Sequence, residues 1–180
     1  MNGIDPAGFD PFAYPLDPDW FAHPSDIHGI THVRRVLIHA QAIAAARDTD
    51  ADWFESLVLA AAWHDIGRTH DGREPEHGPN SVTRVRQLQL HDGVHPQILA
   101  RTLFAIQWHS VPDHFALDHA ASLAPAHRPE PGTLVRVLWL LKDADGLDRV
   151  RINDLDPGQL RYEESLRFVD RAQELYEEMP

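Results

Sequence analysis

His32, the adjacent pair His64-Asp65, and Asp145 are the residues of this chain whose types could jointly hold a divalent ion. Imidazole nitrogens and carboxylate oxygens are borderline-to-hard ligands. Three segments bringing them together would supply three or four protein ligands and leave room for water. An open site of that kind suits hydrolysis, because a bound ion acidifies water and polarises the bond to be broken. The chain has no cysteine, which excludes disulfides and thiolate chemistry and leaves histidine and carboxylate as the strong ligands.

A His-Asp dipeptide alone carries little information. With 13 histidines and 19 aspartates in 180 positions, one or two arise by chance, and two are present. His91-Asp92 lies among polar residues beside Gly93 and reads as a solvated turn. His64-Asp65 follows the apolar run Leu57 to Trp63, whose burial would leave an unpaired charge costly. A metal ion resolves that cost.

The elements that must position these residues read as helices. From Thr31 the residues Val33, Val36, Leu37, Ala40, Ile43 and Ala44 recur at helical spacing, ending near Asp48. Asp52 is placed to cap a second helix, in which Phe54, Leu57, Val58 and Ala61 lead to His64 and Gly67 stops the run. Residues 68–79 carry Gly72, Pro75, Gly78 and Pro79 and read as a loop. Ser81 or Asn80 would then cap a short helix through Leu90. Pro96 suits the first turn of a helix running through Ile98, Leu99, Leu103 and Ile106 to Trp108-His109. The stretch from Val111 to Pro131 reads as irregular, with one helical turn around Ala116 to Leu123. Leu134 to Leu141 is a buried segment whose length and flanks favour helix, although Val135 and Val137 would also suit a strand. From Gln159 onward Leu160, Leu166, Val169, Ala172 and Leu175 mark an amphipathic helix. The expectation is an all-α bundle of five to seven helices spanning residues 31–180. Residues 1–30, with five prolines among five aromatic residues, should form an arm packed on it.

Composition narrows the partners. The formal charge is −12, and Lys142 is the single lysine among sixteen basic residues, so the cations are almost all guanidinium forks suited to oxyanions. Attraction to a nucleic acid duplex is not expected of such an acidic chain. The N-terminus has no basic-apolar signal pattern, and the longest apolar run falls far short of the roughly 20 residues of a membrane span, so a cytoplasmic protein is expected.

Two further contexts complete the pattern: His28-Gly29-Ile30-Thr31-His32-Val33-Arg34-Arg35-Val36, and Asp143-Ala144-Asp145-Gly146-Leu147-Asp148. With a separated histidine, an adjacent His-Asp, and a distant aspartate in an Ala-Asp-x-Leu context, the chain resembles the HD superfamily of metal-dependent phosphohydrolases from about His28 to Arg151. The resemblance implies an HD-domain helical fold and metal ligation by His32, His64, Asp65 and Asp145. His77 and His109 fall where some members carry two more histidines for a second ion, with Asp65 bridging the two. His28, one turn before His32, competes for a ligand or substrate role. The implied cofactor is one or two divalent ions drawn from Mn, Mg, Fe, Co, Ni or Zn.

Arg68, directly after His64-Asp65-Ile66-Gly67, stands where many HD phosphodiesterases have lysine, so the charge is kept and the geometry changes. Arg68, Lys142 and Arg149 are the candidate binders of substrate phosphate, against the alternative of solvated or ion-paired cations; for Arg149 the candidate partners are Asp148 and Asp145. Asp65 and Arg68 are the candidate catalytic residues. No Gly-Tyr-Pro motif follows the site, and Ile66-Gly67-Arg68-Thr69 lacks the Glu-Asp pair of alarmone hydrolases, which turns the reading from those subtypes. The expected activity is phosphoester hydrolysis of a nucleotide-like or small phosphorylated substrate. A mixed-valent di-iron oxygenase and a non-catalytic metal- or nucleotide-binding module are the alternatives.

Overall fold

The computed structural model describes residues 4–123 and 131–180; the predicted irregular stretch therefore lies partly outside the described residues. Among them there are eight α-helices and no strand: α1 (Ile30–Ala46), α2 (Ala51–Trp63), α3 (His77–Gln87), α4 (Pro96–Trp108), α5 (Asp113–Ser122), α6 (Pro131–Leu147), α7 (Glu163–Leu166) and α8 (Val169–Glu178). α7 is a single turn of four residues. None of the described helices is long and apolar enough to cross a membrane.

Helix α1 begins at Gly29 without a side-chain cap, so packing holds it in place. Its stripe of Val33, Val36, Leu37, Ala40, Ile43 and Ala44 is fully buried. Each such Val, Leu or Ile contributes about 1.5–3 kcal/mol, against about 1 kcal/mol for a cap. Asp48, in the left-handed region at φ 49°, closes the helix. The α2 cap is Asp50, whose carboxylate accepts from the Trp53 amide, and not Asp52, which sits inside the first turn. α1, α2, α4 and α6 pack on one another, with α3 laid on α4 and α5 against α6. Leu134 to Leu141 is helical, because the buried pattern continues at helical spacing through Ala144 and Leu147.

Helix α3 starts at His77, earlier than its capping residues suggest. Pro79 lies in its first turn, where a missing amide hydrogen costs no intrahelical bond. Ser81 is therefore inside the helix, and its hydroxyl accepts instead from the Gly67 amide at 2.9 Å. A Cβ on Gly67 would sit 2.2 Å from the Ser81 nitrogen, so only glycine lets the turn after α2 lie against α3. α5 spans ten residues where one turn was expected. The expected C-terminal helix is divided at Arg167–Phe168, and Leu160 precedes it, following a short 3-10 turn.

The N-terminal segment is held by hydrogen bonds to backbone carbonyls. Gln41 donates to Pro6 and Phe9, Arg34 to Tyr14 and Pro11, and Arg84 to Asp19 and Trp20. Phe9 packs edge-on against Phe54, with ring centroids 5.3 Å apart.

Candidate metal centre

Five helices deliver six side chains to one place. His32 comes from α1, His64 and Asp65 from the end of α2, His77 from the first residue of α3, His109 from the end of α4, and Asp145 from the last turn of α6. Three of these are helix C-termini, whose partial negative charge favours a cation.

Asp65 divides the cluster. Its Oδ1 lies 3.2 Å from His77 Nε2 and 3.6 Å from His109 Nε2. Its Oδ2 lies 3.5 Å from His32 Nε2 and 3.8 Å from His64 Nε2. Asp145 Oδ1 is 3.5 Å from His32 Nε2 and 4.0 Å from His64 Nε2. The structure thus brings together all six histidines and aspartates that the sequence marks as ligands.

Second partners aim the imidazoles. Nδ1 of His64 donates to the Ala61 carbonyl at 2.8 Å, that of His109 to Ile106 at 2.7 Å, and that of His77 to Glu74 at 2.5 Å. His32 Nδ1 instead meets Asp148 Oδ2 at 2.6 Å. With Nδ1 engaged in each ring, Nε2 is left with its lone pair facing the cluster. Burial lowers the His64 pKa to about 3 and, with His109 beside it, that of His77 to about 4, so both rings are neutral at pH 7. Burial and Arg151 also push the His32 pKa down, but its bonds with Asp148 and Asp65 outweigh them and the net shift is upward. Burial works against ionisation of Asp65 and Asp145, yet both stay well below the usual carboxylate range. His64 dominates the pull on Asp65, and His32 that on Asp145.

This arrangement fits a divalent ion. His32 and His64 present Nε2 atoms to each other at 3.1 Å, and His77 and His109 at 2.7 Å, an arrangement of facing acceptors that a cation relieves. Ligands at roughly 2.0–2.1 Å from one ion stand about 3 Å apart when they are neighbours in its shell. Asp145 Oδ1 is buried with no hydrogen-bond partner. Three overlapping groups, His28-His32-Asp65, His32-His64-Asp145 and His64-Asp65-His109, have donor atoms within 4.8 Å of one another and could hold a metal.

The other candidate residues divide. His28 is buried, with Nδ1 3.0 Å from Asp65 Oδ2 and 3.2 Å from Arg151 Nη2. Arg68 Nε lies 3.3 Å from Asp65 Oδ2. Lys142 stands apart from the cluster, its amine 2.5 Å from both Asp113 Oδ1 and the Val111 carbonyl. Arg149 is exposed and paired with Asp154, not with Asp145 or Asp148. Asp143, two residues before Asp145 and so about 200° around the helix, faces away and accepts from the amides of Arg161 and Tyr162 and from Ser165 Oγ.

Three contributors escape the sequence reading of the site: Asp148, Arg35 and Arg151. Fully buried Asp148 receives Arg35 Nε at 2.5 Å and Nη2 at 3.1 Å while holding His32. Arg151 Nη1 stands 4.0 Å from Asp145 Oδ1 and 3.5 Å from Asp148 Oδ2. Arg35 lies three residues after His32, and Asp148 three after Asp145. That helical spacing was the available signal.

The cluster opens on two joined cavities of about 490 and 700 Å³, which share Asp145, Arg149 and the wall His109 to Pro112. No curated protein and no solved structure matches the chain. The HD domain family model matches residues 29–150, a span that begins just before His32 and closes after Asp148, and this family points to metal-dependent hydrolases. With that match covering most of its length and the His/Asp cluster assembled inside it, the chain belongs to the HD domain family.

Proposed function

We propose that this protein is a metal-dependent phosphohydrolase acting on a nucleotide-like or small phosphorylated metabolite, as a phosphomonoesterase or phosphodiesterase. The observation that carries the reading is the two-sided Asp65, with one oxygen turned to His77 and His109 and the other to His32 and His64. His32, His64, Asp65 and Asp145 would hold one divalent ion, and Asp65, His77 and His109 a second. Bound ions of this kind lower the pKa of water and neutralise phosphoryl charge.

The chain's own residues orient and bind. The four Nδ1 contacts keep each Nε2 aimed inward, so the ligand shell is organised before substrate arrives. Arg68 and Arg151 line the smaller cavity beside Asp65, where planar guanidinium donors suit phosphoryl oxygens, and His28 stands with them. Asp65, with both oxygens engaged, has little basicity to spare for taking a proton from water. Lys142, neutralised by Asp113, shapes the wall of the larger cavity.

The same six residues would serve a mixed-valent di-iron oxygenase. The arginines grouped on one side of the cluster favour a phosphate-bearing substrate instead. The test is phosphate release from a panel of phosphorylated metabolites. Activity should vanish on chelation, return with Mn²⁺, Mg²⁺, Co²⁺ or Fe²⁺, and be absent in Asp65→Ala. Full activity in Asp65→Ala, or iron-dependent oxygen consumption without phosphate release, overturns it.

A further inference from the structure

Among the described residues four arginines lie over aromatic rings, and two of them are completed by a carboxylate. Arg35 Cζ stands 5.3 Å from the Tyr176 ring centroid, with Asp148 Oδ1 2.5 Å from its Nε. Arg47 Cζ stands 3.7 Å from that of Tyr162, with Glu164 Oε2 2.6 Å from its Nη1. A ring takes the face of a guanidinium and leaves its N–H edge to an oxyanion, so each of these arginines has both halves of its surroundings filled.

The other two share one ring and have no carboxylate. Arg101 of α4 and Arg136 of α6 stand 5.6 and 4.4 Å from the Trp53 centroid. Arg101 is buried, yet its donors reach only neutral oxygens, Ser56 Oγ at 3.0 Å and the Asp52 carbonyl at 3.3 Å. Arg136 is half-buried and makes no hydrogen bond or ion pair among the described residues, and its Nε is buried without an acceptor. The acids of the α2 start do not compensate them. Asp50 accepts from the Trp53 amide, and the Asp52 side chain is exposed. Holding guanidinium groups partly out of water without a counter-charge is costly, and a bound anion relieves that cost.

We infer that Arg101 and Arg136, stacked on Trp53, form a second ligand site that takes a carboxylate or phosphate group of a small molecule at their free edges. The site is remote from the metal centre. Trp53 lies about 16 Å along the α2 axis from His64, and Arg136 about 13 Å along α6 from Asp145, at 1.5 Å per residue. It joins α2, α4 and α6 at the end of the bundle away from the ligands that these helices carry, and it stands independently of the phosphohydrolase reading.

The test is titration of the full chain in chelator at constant ionic strength, with inorganic phosphate and, in a parallel arm, with succinate. The readout is the set of indole N–H signals of its five tryptophans in ¹H–¹⁵N spectra, each assigned by its Trp→Phe variant. The Trp53 signal should shift saturably at roughly millimolar anion, the range that two charge-assisted contacts give. Arg136→Ala should weaken this binding about tenfold, and Arg136→Lys should recover part of it because the charge is kept and the fork lost. Arg101→Lys, which leaves the charge in place, should weaken it severalfold and carries the test if Arg136→Ala does not fold. Arg86→Ala, which removes an exposed cation from α3, should change nothing. Tighter phosphate assigns the site to a phosphate-bearing ligand and tighter succinate to a dicarboxylate, and either supports it. Trp63 and Trp108 adjoin His64 and His109 in the chain and report on the metal cluster, so saturable shifts confined to them overturn the proposal. An unmoved or unsaturated Trp53 signal overturns it too, as does an equal loss in Arg86→Ala and Arg136→Ala.

Discussion

Asp148 Oδ2 stands 2.6 Å from His32 Nδ1, and both side chains are fully buried. The same carboxylate holds Arg35, whose Nη1 reaches the Met179 carbonyl at 2.5 Å at the end of α8. One buried acid thus joins the first candidate ligand to the C-terminal helix.

Asp148→Asn keeps the shape and removes the charge that aims His32 and compensates Arg35. Divalent metal affinity should fall about 10–100-fold, the usual effect of losing an outer partner of a metal-binding histidine. Stability should fall by about 3 kcal/mol because Arg35 is left buried without its partner. Asp145→Asn should lose metal as strongly with far less loss of stability. Metal titration beside thermal melting separates the two.

Two ions per chain are expected in the wild-type protein and one in His109→Ala, because His77 and Asp65 alone leave the second position short of ligands. Metal analysis after dialysis reads the stoichiometry directly. An unchanged ratio in the variant would remove His109 from the ligand set.

Gly78 holds α3 against α4: a Cβ there would stand 2.6 Å from the Ile106 carbonyl oxygen and 2.8 Å from that of Gln107. Gly78→Ala must separate the two helices and with them His77 from His109. The expected result is a loss of about 1–3 kcal/mol from overpacking and selective weakening of the second metal, the first being retained. Calorimetric metal binding with two resolvable phases would reveal it.

His39 is buried away from the cluster, and burial lowers its pKa to about 4. A folded-state pKa below the unfolded value means that the unfolded chain takes up the proton first. Stability is therefore full above about pH 6.5 and is lost as pH falls toward 4, by up to about 3 kcal/mol. His64 and His77 act in the same direction when no metal is bound. His39→Leu should flatten the acid limb of the melting curve in chelator and leave the melting temperature at pH 8 little changed.

The apolar stripes of α1, α2, α4 and α6 are legible in the chain because helical burial imposes a spacing that survives without coordinates. The candidate ligand set is legible only through the family resemblance: residue type and spacing alone leave Asp143 and Asp145 equivalent, and the contexts around His32, His64-Asp65 and Asp145 single them out. The start of α3 is not legible in the sequence, because Pro79 reads as a breaker although it occupies the first turn of the helix. Ser81 has the residue type of a cap, but its hydroxyl accepts from the Gly67 amide across the helix contact.

What the amino-acid sequence determined by itself was local: which segments are helical, and the motif contexts whose family resemblance marks His32, His64-Asp65 and Asp145, with His77 and His109, as candidate ligands. Tertiary structure alone decided the pairings. It turned Asp143 outward to the Arg161 segment, put Asp148 behind His32, spent Lys142 on Asp113, and placed Arg151 where Arg149 had been expected. The reason is physical. Periodicity encodes which side of a helix is buried, but the partner of a buried charge depends on which helices meet, and that is settled by the packing of the whole core.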